Sequence, residues 1–187
     1  TYRIAYLISE GVNPFNIISL TFTNKAAKEM KDRIIDLVGI RAKGILMGTF
    51  HSVFARILRV EAEKIGYVSN FTIYDTYDSK KLITSIVKEM NLDKKNYKDS
   101  RVLNRISSAK CGLYSPIDYK NNEYQREEDR RANIGEVYRV YAAYQRRLKQ
   151  AMAMDFDDIL FNMNILLRDF PQVKEKYQRR FQYILVD

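Results

Sequence analysis

Apolar positions recur first at Ile4, Leu7 and Ile8, three and four residues apart, which predicts a short helix ending near Gly11. Asn13-Pro14 marks a turn. The run Ile17-Ile18-Ser19-Leu20-Thr21-Phe22, β-branched and mostly apolar, predicts a buried parallel strand. Thr23 or Asn24 then caps a helix whose stripe is Ala26, Ala27, Met30, Ile34, Leu37 and Val38, with Gly39 as its stop. Gly44 to Thr49 repeats the strand signal. Phe50, Val53, Phe54, Ile57, Leu58 and Ile65 repeat the helical one, up to Gly66. Strand, helix, strand, helix is the rhythm of a parallel α/β sheet. Phe71 to Tyr74 reads as one more brief extended piece.

Beyond residue 76 the stripes are helical only. Leu82, Ile83, Ile86, Val87 and Met90 form one, and Val102, Leu103 and Ile106 another. A long third carries Ile134, Val137, Tyr138, Tyr141, Tyr144 and Leu148. Residues 112–125 are polar, with Pro116 and paired Asn, and read as a loop. Asp155 caps a helix bearing Phe156, Ile159, Leu160, Met163 and Leu167, and Pro171 opens a shorter one. Tyr183-Ile184-Leu185-Val186 ends the pattern as a buried strand. The predicted fold class is α/β and mostly helical: an incomplete parallel sheet interrupted by a large helical insertion. Residues 1–74 and 182–187 supply the sheet, and 75–181 the insertion.

Charge changes this picture in one respect. The 187 residues hold 32 Lys+Arg against 23 Asp+Glu, a net charge of +9. Such a balance suits a polyanion such as nucleic acid, and equally a solvated basic surface. Residues 80–110 carry nine basic side chains against three acids, a clustering that favours nucleic acid. One cysteine, Cys111, excludes an internal disulfide framework and suits a reducing, cytoplasmic setting. With a single histidine, His51, no Cys/His zinc site can be assembled. No apolar run approaches the roughly 20 residues of a membrane span. The chain starts without Met at Thr1 and stops at Asp187 directly after a strand, which reads as a piece of a longer protein.

Two junctions carry the candidate chemistry. At Thr21-Phe22-Thr23-Asn24-Lys25 a strand delivers small polar groups and one aromatic ring to a sheet edge, where a helix begins. The carboxyl ends of parallel strands are where ligands bind. Helix N–H groups meet phosphate there, and an exposed Phe stacks on a base. The same residues also fit a capped helix with Phe22 in the core. Thr49-Phe50-His51-Ser52 repeats the design, with two hydroxyls and an imidazole for phosphate and a ring for a base.

TFTNKAAKEM (21–30), GTFHSVFARILR (48–59), MDFDDIL (154–160) and FQYILVD (181–187) stand in an order and spacing that resemble the UvrD/PcrA/Rep family of superfamily 1 DNA helicases. TYRIAYLI (1–8) and SSAK (107–110) are similar to that family too. The resemblance implies a RecA-like, P-loop NTPase type sheet domain (1A) carrying a helical subdomain (1B). By the same resemblance, Phe22 and Asn24 belong to a motif contacting single-stranded DNA, and Thr49, Phe50 and His51 to the next such motif. Lys110 matches a basic DNA-contact position. FQYILVD resembles the Walker B strand, which makes Asp187 the carboxylate that helps hold Mg²⁺ on ATP. MDFDDIL resembles a further helicase motif, beside its plain reading as a helix cap at Asp155.

The activity so implied is an ATP-dependent 3′–5′ helicase. It would act on single-stranded DNA and single-strand/duplex junctions, in repair or replication. The family's GxxxxGK[ST] loop would precede Thr1, and its water-activating acid would follow Asp187. ATP hydrolysis is therefore not expected of these 187 residues alone. Two alternatives are a non-catalytic nucleic-acid- or partner-binding helical module and part of a helicase–nuclease subunit.

Overall fold

In the computed structural model, which describes residues 1–187, β1 (Ile17–Thr21) is the centre of a three-stranded parallel sheet. β2 (Leu46–Thr49) lies on one side and β5 (Tyr183–Val186) on the other. Every residue of β1 is buried, as expected for a central parallel strand covered on both faces. Alternation along the strand sorts its side chains. Ile17 joins Met47 and Leu185 in one core with α1 (Tyr2–Ser9) and α2 (Asn24–Val38), through Ile4, Ile8, Met30 and Ile34. Ser19, on the same face, donates from Oγ to Met30 Sδ at 3.0 Å. Ile18 and Leu20 face the other way. There they line a groove of about 670 Å³ with Phe50, Phe54 and Ile57 of α3 (Phe50–Val60).

The chain divides into two compact units, Thr1–Val60 with Met163–Asp187 and Glu61–Asn162. These divisions differ from the expected ones at 74/75 and 181/182. The extended piece near residue 72 is β3 (Thr72–Ile73), and it does not join the main sheet. It pairs in parallel with β4 (Ala153–Met154), inside the helical unit. The second division falls within α9 (Phe156–Asp169), and its last residues, with α10 (Pro171–Arg180), line the groove beside Ile18 and Leu20.

The helical unit is built on α4 (Thr76–Glu89), α5 (Asp99–Cys111) and α8 (Val137–Gln150). Ile83, Ile86, Val102, Ile106, Val140 and Tyr144 form the middle of its core. The polar stretch expected as a loop holds two helices, α6 (Pro116–Asn121) and α7 (Glu123–Arg131). Local capping starts both. Ser115 and Asp118 make a reciprocal capping box, and the Asn122 side chain accepts from Gln125 N. In place of an apolar stripe, a polar network holds them. The buried Tyr119 hydroxyl donates to Asp129 at 2.7 Å, and Arg105 Nε donates to the same carboxylate at 2.6 Å.

β5 forms where a strand was expected, but it is not buried. Ile184 and Val186 are well exposed, because β5 is an edge strand of the described sheet and these two side chains open onto the groove.

Candidate nucleic-acid interface

All three strands of the main sheet run parallel, so their carboxyl ends share one rim. Thr21 pairs with Thr49 and Leu20 with Val186, which brings Phe22, Phe50 and Asp187 to the same edge, each one residue past its strand. Asp187 is held there by its own N–H, which donates to Leu20 O at 3.0 Å. Its carboxylate is exposed.

At the first junction Phe22 is not a core residue: its relative exposure is 75%. Its ring lies 5.1 Å, centroid to centroid, from that of Phe50. Thr23 caps α2, accepting from Ala26 N at 3.1 Å, and Asn24 is the first helical residue, exposed to solvent. At the second junction Thr49 is the cap. It is buried, its Oγ1 accepts from Ser52 N at 3.2 Å, and Ser52 Oγ donates back to Thr49 O at 3.0 Å. Thr49 thus shapes the turn more than it presents a hydroxyl. Phe50 and His51 are half-buried.

Both helices point their N-termini at the rim, and neither has an acid in its first turn. No carboxylate in the first turn neutralises the positive end of either helix dipole. Lys25 and Lys28 add exposed cations to the start of α2. The rim therefore presents an aromatic face, an amide side chain, helix N-termini and flanking lysines, with His51 half-buried beside them. Aromatic faces, amide side chains and lysines are groups that contact bases and phosphates in nucleic-acid complexes.

Lys110 is not part of the sheet unit that forms the rim. It belongs to the helical unit and is 2% exposed. Its Nζ lies 2.7 Å from Asp155 Oδ2 and 2.8 Å from Asp158 Oδ1. Tyr144 donates to Asp155 and Gln145 to Asp158, both at 2.8 Å. A side chain so placed faces carboxylates and not solvent, and the expected phosphate contact is not one it is positioned to make. Asp155 also caps α9 as the sequence suggests: it accepts from Asp158 N at 2.8 Å while Asp155 N donates to Asp158 at 3.1 Å. Burial pushes the Asp158 carboxyl up to about 6, against the opposing pull of Lys110. Sequence reasoning missed this cluster because Lys110 and Asp155 are 45 residues apart, and no local spacing signals their meeting. The Asp155–Asp158 interval, three residues before an apolar stripe, is the one legible part.

Over residues 1–187 the chain matches the family described as UvrD/REP helicase N-terminal domain. It is 43% identical over 188 residues to the ATP-dependent DNA helicase PcrA of Staphylococcus aureus, covering 100% of this chain and 25% of that protein. To the protein of the same name from Staphylococcus epidermidis it is 44% identical over 190 residues, with the same coverage. The chain spans about a quarter of the length of these curated relatives. No helix is long and apolar enough to cross a membrane. With a rim of this construction and a family match over its whole length, the chain belongs to the UvrD/REP helicase family and corresponds to its N-terminal domain.

Proposed function

We propose that this chain is the strand-gripping part of an ATP-dependent 3′–5′ DNA helicase, and that the sheet rim is where it holds single-stranded DNA. The observation that carries this reading is the convergence of Phe22, the Thr49–His51 junction and Asp187 on one edge of one parallel sheet. Phe22 stacks on a base, and Asn24 and His51 contact the backbone. Phe50 packs against Phe22 on the same rim, and Thr49 sets the turn that places it. Two acid-free helix N-termini receive phosphates.

ATP and Mg²⁺ fit the remaining rim residue. Asp187 presents an exposed carboxylate, and Mg²⁺ is typically held by one or two carboxylates together with substrate phosphates and water. In the longer protein, ATP binding and hydrolysis would alternate the grip on the strand, at single-strand/duplex junctions met in DNA repair or replication, in the cytoplasm. DNA binding is the step assigned to the residues described here.

Fluorescence anisotropy of the chain with a labelled single-stranded oligonucleotide, from low to moderate salt, tests this. Binding is expected at low salt and should weaken with a log–log slope of about −0.7 per phosphate neutralised. Phe22→Ala should weaken it roughly 5- to 150-fold, the range for losing one aromatic–base stack. Absence of binding at low salt, or an unchanged affinity in Phe22→Ala, would overturn the reading.

A further inference from the structure

Phe50 was expected to stack on a base beside Phe22, yet the two rings differ in what they present. Phe22 is largely exposed, whereas Phe50 is half-buried. The Phe50 ring lies 5.1 Å from Phe22 at a tilt of 45°, and 5.9 Å from Phe54 in an edge-to-face arrangement of 81°. Both separations lie within the range of interacting aromatic pairs, and the Phe50–Phe54 arrangement is the favoured edge-to-face one. Phe50 and Phe54 in turn line the apolar groove with Ile57, Ile18 and Leu20. The three rings make a column that starts at the rim and ends in the packed part of the sheet unit.

We propose that Phe50 is a positioning residue, which fixes the ring of Phe22 in its base-stacking orientation and does not itself stack on DNA. The physical reason is entropic. An exposed ring that must stop rotating when it stacks loses affinity to that ordering, and a ring already leaning on Phe50 has less freedom left to lose. Backbone conformation holds the two together as well. Phe22 leaves β1 one residue past Thr21, and Phe50 begins α3 one residue past Thr49, the register partner of Thr21. The inference rests on the reading of Phe22 as the base-stacking residue.

The chain contains no tryptophan, so Phe22→Trp places a single fluorescent reporter at the rim. In the protein without DNA, the anisotropy of that tryptophan should fall when Phe50→Leu is added and return with Phe50→Tyr, which restores a ring. An anisotropy indifferent to Phe50→Leu overturns the proposal. With the oligonucleotide, Phe50→Leu should weaken binding several-fold in the parent chain and add nothing once Phe22→Ala is present. Losses that add would mean that Phe50 touches DNA by itself, which also overturns the proposal. If the unaltered chain does not bind the oligonucleotide, the base-stacking reading fails, and the tryptophan anisotropy alone decides the positioning claim.

Discussion

Asp158 shows how far a side chain's surroundings can move it from what its residue type suggests. It is fully buried, shares Lys110 with Asp155, and accepts further hydrogen bonds from Gln145 and from the Asp155 backbone. Removing one partner from a buried set of this kind typically costs about 3–5 kcal/mol, because the remaining charge is left uncompensated. One ammonium faces two carboxylates, and burial raises the Asp158 carboxyl to about 6 from an ordinary 3.8. Between those values the folded chain holds a proton that the unfolded chain has released. The associated stability is therefore present below the lower value and is lost as pH rises through the upper one. Denaturant titrations of the native chain and Asp158→Asn from pH 4 to 6.5 should show the native chain losing stability relative to the variant across that window. A constant difference contradicts the assignment. The residue types of this cluster were visible in the sequence, and its assembly was not: a basic side chain between residues 80 and 110 reads as surface until its partners are known. Phe22 shows the converse, since its pattern fits core or rim and only the end of β1 decides.

At the scale of elements the sequence was more legible, because strands and helices follow local rules. The spacing of apolar residues located α2, α4, α5, α8 and both junctions, and Thr23 and Asp155 cap where their oxygens suggested. The α6–α7 pair escaped because its helices are held by caps and by a Tyr119–Asp129–Arg105 network, which leave no periodic apolar stripe. The pairing of β3 with β4 escaped because the two strands are only two residues long and about 80 residues apart. Gly48, in β2, is an element-scale requirement that pattern alone does not reveal. A Cβ there would lie 2.6 Å from Ser52 Oγ and 3.2 Å from Val53 Cγ2, so the Ser52 side chain would have to leave the position from which it donates to Thr49 O. Gly48→Ala should cost about 1–3 kcal/mol in urea unfolding, as overpacking does. It should also weaken single-stranded DNA binding by displacing Phe50 and His51. Unchanged stability would show that the turn gives way at no cost.

At the scale of the whole molecule, charge is distributed differently from what the linear sequence suggests. The sheet unit carries 14 Lys+Arg against 7 Asp+Glu, while the helical unit carries 18 against 16. The basic run at 80–110 is offset mainly by residues 61–79, which carry four acids against one lysine, and one of its own lysines is internal. Most of the net positive charge thus belongs to the unit whose parallel strands deliver Phe22, His51 and Asp187 to one edge. Where the strand of DNA rests on this chain is the central claim, and photo-crosslinking maps it directly. An oligonucleotide carrying 5-iodouracil, irradiated with the chain and read by mass spectrometry of the digested adduct, should label Phe22 within residues 21–25 and the junction at 49–52. Adducts confined to the helical unit, with none at the rim, would contradict the account.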